Sequence, residues 1–195
     1  MNADRYPQIS VHSRAEWRAW LATNHSRTES IWLVTYKKGA GVHHVTYDEI
    51  VEEALCFGWV DSLPRKLDDQ RKMILVSPRR KGSAWSKVNK ARVDHLIRAG
   101  LMMPPGLEKI ERAKADGSWS ILDHAENEVM PPDVKKALRA TPGSTKAFAA
   151  LPRSLRKGLL GQIALAKRPE TRAQRIQRLV TISLQRLADR NSAAS

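Results

Sequence analysis

Three cations, Arg79, Arg80 and Lys81, stand directly before an expected helix start in the segment SPRRKGSAWSKVN, which ends at Asn89. Ser83 is placed to cap that helix, with Ser86 three residues on and Trp85 in the first turn. A helix N-terminus presents free backbone N–H groups and partial positive charge, so it attracts anions. With the cations beside it, the segment is expected to form an anion-binding corner for a small anionic ligand or a phosphate-bearing partner. The ligand-binding set read this way is Asp61, Arg71, Arg79, Arg80, Ser83, Trp85, Ser86 and Asn89, with Asp61 orienting the basic side chains. The plainer alternative is a solvated loop, the usual fate of three cations in a strand-to-helix turn. No Gly-x-x-x-x-Gly-Lys-Ser/Thr phosphate loop accompanies them.

Other reactive residue types make a weaker case. Cys56 ends an apolar helix between Leu55 and Phe57, with no histidine close in sequence, so burial as a small apolar side chain is expected. A single cysteine permits no internal disulfide and fits a reducing compartment. The histidines at 12, 25, 43, 44, 95 and 124 form no H-x-x-x-H pair and no Cys/His cluster of zinc spacing, so neither a metal nor a cofactor is expected. There is no Gly-x-Ser-x-Gly elbow and no Gly-x-Gly-x-x-Gly. Asp61, Asp68 and Asp69 lie nearest the basic segment, and pairing with Arg65, Arg71 or Arg79 would keep them ionised and structural. No catalytic residue is assigned, and a non-enzymatic protein is the leading expectation. The main alternative is an enzyme acting on a phosphorylated small molecule with Asp61 as base.

Charge is unevenly spread along the 195 residues and their net +14. Residues 64–98 carry 11 Lys/Arg against 3 Asp/Glu, and residues 131–195 carry 14 against 3, whereas the intervening chain is mildly acidic. Such a field favours polyanions without specificity, so non-specific nucleic-acid binding through Arg172, Arg175 and Arg178 is a third reading. No zinc finger or RNP-type signature supports a sequence-specific one. The opening MNADRYPQIS lacks a secretion pattern and no apolar run approaches a membrane span, so a cytoplasmic protein without membrane insertion is expected. Nothing in the sequence fixes an oligomeric state.

The elements that must position these residues follow from periodicity and caps. A short strand over 8–11 precedes a capping box at Ser13 and Glu16, opening a helix with Trp17, Trp20 and Leu21 on its core face. Residues 31–36, IWLVTY, are β-branched and aromatic and predict a strand. After the loop KKGAGVHH, Thr46 and Glu49 form a second capping box for a helix that Gly58 ends. Trp59 and Val60 lead into Asp61, and a charged turn of Arg65, Lys66, Asp68 and Asp69 is followed by a strand over about 71–77 and a helix from Ser83 to about Arg98. A further helix starts at Pro104-Pro105-Gly106, and residues 117–130 read as irregular. Beyond Pro131-Pro132, helices are predicted over 132–139, 144–150, 152–167 and 170–187, the last with a stripe of Ala173, Ile176, Val180, Leu184 and Leu187. The expectation is an α+β fold: a small mixed or antiparallel sheet with helices over 1–130, and an all-α domain over 131–195.

Several of these blocks together resemble a known family. VTYDEIVEEALCFGWVDS, RKLDDQR, SPRRKGSAWSKVN, AKADGSW and the C-terminal AKRPETRAQRIQRLV are similar to the bacterial YdeI/OmpD-associated, or bacteriocin-protection, proteins over roughly residues 10–185. The resemblance implies an α+β N-terminal part and a helical C-terminal part, and the family name implies protection against bacteriocins or association with an outer-membrane porin. The resemblance supplies no reaction, ligand or catalytic residue. The leading reading is a cytoplasmic, non-enzymatic binding or stress-protection protein of this family. Where the family pattern has glycine after Gly-Trp-Ile/Val-Asp, this chain has Ser62, which alters the turn after Asp61.

Overall fold

The computed structural model describes residues 5–40 and 44–193. The chain separates into two compact units, one of Met1–Ser83 with Val88–Ser118 and one of Ala84–Lys87 with Trp119–Ser195. The expected α+β fold is observed: β1 (Gln8–Ser10), α1 (Arg14–Asn24), β2 (Ile31–Tyr36), α2 (Tyr47–Cys56), β3 (Trp59–Lys66), β4 (Arg71–Pro78), α3 (Lys87–Arg98) and α4 (Pro104–Ala115) precede an all-helical remainder. Of the loop KKGAGVHH, residues 41–43, and with them His43, lie outside the described residues.

The sheet runs in the order β1-β2-β4-β3. β1 is parallel to β2, and the other two pairings are antiparallel. The chain turns between Lys66 and Arg71, whereas residues 59–66, with no strand expected there, form β3, paired with β4 in a hairpin. The apolar/polar alternation of β3 is interrupted by Pro64 and by a shift of register between Asp61 and Pro64, features tolerated on an edge strand.

Caps decide where the first helices begin. Thr46 accepts from the Glu49 N–H and the Glu49 carboxylate accepts from the Thr46 N–H, so that box is complete. At α1 Ser13 caps the Glu16 N–H, but the Glu16 carboxylate accepts from the His12 N–H instead of that of Ser13. The two helices are stapled by Glu53, only 2% exposed, whose carboxylate accepts from Arg14 at 2.6 Å and Arg18 at 2.7 Å. Trp17 is buried, as expected, and its indole donates to the Ile50 carbonyl, while the half-buried Trp20 stacks on it at 5.4 Å. α2 meets α4 at van der Waals limits: the Met103 N–H donates to the Cys56 carbonyl at 3.1 Å. A Cβ at Gly106 would lie 2.2 Å from that same oxygen.

The second unit holds α5 (Asp123–Glu126), α6 (Pro132–Ala140), α7 (Ser144–Ala149), α8 (Arg153–Ala164) and α9 (Pro169–Ala193). Its core gathers Val134, Leu138, Phe148, Leu160, Ile163 and Leu179. The predicted stripe of α9 holds at Ile176 and Val180, which are buried, and at Leu184, which packs against the core; Leu179 and Ser183 are buried with them, whereas Ala173 is exposed. Glu128 adopts a left-handed φ of 56° and its carboxylate takes both Arg153 and Arg156 at 2.6 Å. Arg172 donates twice to Asp133, and Arg175 donates to the Gln162 carbonyl.

Two consequences can be measured. Gly106→Ala forces backbone apart in a packed contact, and urea unfolding should show a loss of about 2–3 kcal/mol; an unchanged midpoint would mean the contact is looser than described. The Arg172 hydrogen bonds, and then its charge, hold the Asp133 carboxyl below the ordinary carboxylate range. A folded-state carboxyl held low adds stability above its unfolded pKa and loses it as pH falls through the folded one. Arg172→Ala should therefore destabilise the protein at neutral pH, and the gap to wild type should close as the solution is acidified below the carboxylate range.

Candidate functional site

β4 ends at Pro78, and the chain that follows is fixed on both sides. The Arg79 N–H donates to the Gly58 carbonyl at 2.9 Å, and the Ser83 N–H donates to the Arg80 carbonyl at 3.1 Å. Gly82, at φ 71°, donates to the Asp116 carboxylate just beyond α4 at 3.2 Å. That carboxylate also accepts from the Ser118 N–H, and Ser118 and Gly82 together hold its pKa low. The basic turn is thus anchored to the end of a helix.

The turn delivers Arg79 inward. Its side chain is 4% exposed, and burial pushes its pKa down to about 10 against the opposing pull of the Asp61 carboxylate, which leaves it cationic at neutral pH. Taking a guanidinium out of water costs several kcal/mol unless negative charge is near. Arg79 and Arg80 line a cleft of about 450 Å³ together with Arg27, Lys109, Glu108 and Phe57. Arg27 follows α1, Lys109 belongs to α4, and Phe57 ends α2. Four cations and one carboxylate line it, which gives the cleft a net positive lining. Its wall is tight, since a Cβ at Gly58 would stand 2.6 Å from the Lys109 side chain.

Asp61 sits on β3, where Trp59 pairs with Pro78 and Asp61 itself with Val76. Its carboxylate accepts from the Tyr47 hydroxyl at 2.7 Å. The Tyr47 ring is half-exposed, yet desolvation of its phenol, then the bond to Asp61, pushes its pKa up to about 12. The Arg92 guanidinium lies 6.0 Å from the centre of that ring and donates to Asp48 and to the Asn89 side chain. Cys56 is buried, and burial pushes its thiol up to about 11, away from thiolate reactivity. Among the described residues no group of three or more His, Cys, Asp or Glu is arranged to hold a metal ion.

The eight residues singled out in the sequence therefore fall in different places. Arg79 and Arg80 share the cleft, Asp61 acts on Arg79 through its charge, and Asn89 joins Arg92 beside Tyr47. Arg71 is elsewhere: it pairs with Asp68 at the hairpin end of β4, roughly 26 Å along the strand from Arg79. The helix begins at Lys87, so Ser83 lies in the preceding turn and Ser86 stands immediately before the first helical residue. Trp85 is a core side chain, 1% exposed, with its ring 5.0 Å from that of Trp119, and it belongs with Ser86 to the second unit. Arg27, Lys109, Tyr47 and Arg92 carried no local signal, because each reaches the site from a separate element.

Comparison with known proteins divides the chain in two. Residues 9–109 match the model of a family described as a domain of unknown function, DUF8412. Residues 128–186 match the family described as bacteriocin-protection, YdeI or OmpD-associated. The suspected relationship is thus found in the C-terminal part, and the similar-looking blocks before Lys109 fall under the first match. No curated protein and no solved structure matches the chain.

The Tyr47–Asp61 bond can be tested directly. In Asp61→Asn the phenol loses its anionic acceptor, and its titration, followed by phenolate absorbance against Tyr47→Phe as blank, should move down from about 12. An unmoved titration would remove Asp61 as its partner.

Proposed function

This chain belongs to the family of its N-terminal match and ends in a YdeI/OmpD-associated domain, and from that premise we propose that it is a cytoplasmic binding protein that holds a small anionic, phosphate-bearing ligand and serves in stress protection. The observation that carries the reading is the near-complete burial of Arg79 in a cleft it shares with Arg27, Arg80 and Lys109. A guanidinium held out of water gains most from an anion, and its planar fork matches phosphate geometry. Arg27 and Lys109 stand in the cleft wall as further charge for the same ligand.

The competing readings have less behind them. A base at Asp61 would share its carboxylate with the Tyr47 hydroxyl, which donates to one of the two oxygens. Phosphate contacts by the C-terminal arginines would have to displace Arg172 from Asp133 and Arg175 from the Gln162 carbonyl.

A thermal-shift series with inorganic phosphate and phosphorylated metabolites tests the proposal. A ligand at a hundredfold excess over its Kd stabilises by about 2.7 kcal/mol, so a clear rise in Tm is expected for wild type. The double variant Arg27→Ala/Lys109→Ala should keep its unliganded Tm and lose most of that rise, and Arg79→Lys should weaken it while preserving the charge. Wild type that no phosphate compound stabilises, or variants stabilised as well as wild type, would sink it.

A further inference from the structure

A second hollow lies wholly within the helical unit and has different chemistry. It is about 440 Å³, open on one side, and is floored by Leu151, Leu155 and Leu187, with Arg186, Asp189 and Arg190 at its edge. The elements that make it are the end of α7, the first turn of α8 and the last turns of α9. Pro152 opens the corner between α7 and α8, leaving Leu155 half-buried above the buried Leu151. Leu187 faces them from α9. Arg186 and Arg190 are four residues apart and so share one face of that helix. Arg190 is held in place by donating to the Ala150 carbonyl at 2.9 Å.

We propose that this groove docks a short amphipathic helical segment of a protein partner, with apolar anchors one turn apart and acidic residues beside them. Shape argues for anchors: an apolar floor of three leucines between helices is the form that receives the apolar face of an added helix. Charge complementarity argues for acids. Two arginines border the groove against one aspartate, and residues 131–195 carry 14 Lys/Arg against 3 Asp/Glu. A basic segment would meet this field unfavourably and a neutral one would gain nothing from it, whereas an acidic one is drawn to it and oriented by it. Leucines on the segment bury against Leu151, Leu155 and Leu187, and its carboxylates reach Arg186 and Arg190. The volume takes only two or three side chains, so the complex is a weak one. This site is independent of the anion cleft and stands or falls without it.

Fluorescence anisotropy with the full chain tests the inference. One labelled peptide carries two leucines at i, i+4 spacing flanked by glutamates, and a second carries lysines in place of the glutamates. The acidic peptide should bind at least roughly tenfold more tightly than the basic one, and its affinity should fall with added salt. Leu155→Asp and Leu187→Asp should each abolish binding while circular dichroism stays unchanged. Arg186→Glu/Arg190→Glu, which leaves the floor intact, should reverse the preference in favour of the basic peptide. Failure of the acidic peptide to bind would overturn the proposal. So would binding that survives both aspartate variants, or equal affinity for the two peptides. Self-association of the chain that Leu187→Asp removes, without peptide binding, would assign the groove to a second copy instead.

Discussion

One turn, Cys56 to Gly58, constrains most of the first unit. Its Cys56 carbonyl receives the Met103 N–H, and the bare Cα of Gly106 lets α4 approach that oxygen. Gly58, at φ 75°, turns the chain from α2 into β3 in a conformation that L side chains rarely adopt. The Gly58 carbonyl then receives the Arg79 N–H. A helix end, a helix start, a strand start and the buried guanidinium are therefore tied to three consecutive residues. The cleft inherits that rigidity, because Phe57 and Lys109 in its wall come from the two helices the turn joins.

Charge in this unit is arranged in graded burial. Glu53 is deepest, compensated by Arg14 and Arg18 from α1. Arg79 is nearly as deep, with Asp61 as its negative neighbour. Arg80 and Lys81 lie at the surface. A buried ion pair missing one member is costly, so the negative charge of Asp61 near Arg79 offsets part of the cost of its burial. That arrangement, more than the total of +14, distinguishes the cleft from an ordinary basic surface.

Local signals made much of the framework legible. Thr46 and Glu49 announced α2, IWLVTY announced β2, and Pro104-Pro105 announced α4, because caps, β-branching and proline act within a few residues. β3 escaped notice because Pro64 and the register shift break its alternation, and only pairing with β4 makes it a strand. The start of α3 was misplaced because Ser83 and Ser86 are equally good caps in sequence, and the Arg80–Ser83 turn takes up the first of them. Arg71 and Arg79 look like neighbours in a basic run, yet an extended strand sets them at opposite ends. The Tyr47–Asp61 bond spans 14 residues and two elements, so no local pattern contains it.

The hairpin has a further effect on how the molecule behaves in company. Both outer strands of the sheet are poor templates: β1 has only three residues, and β3 carries Pro64, a register shift and the cations Arg65 and Lys66. Proline withholds a donor, and like charges repel an incoming copy. Sheet extension at either described edge is thus disfavoured, and KMILVSP on β4 is paired on both sides, whereas β1 covers only the middle of IWLVTY, Trp32 to Val34.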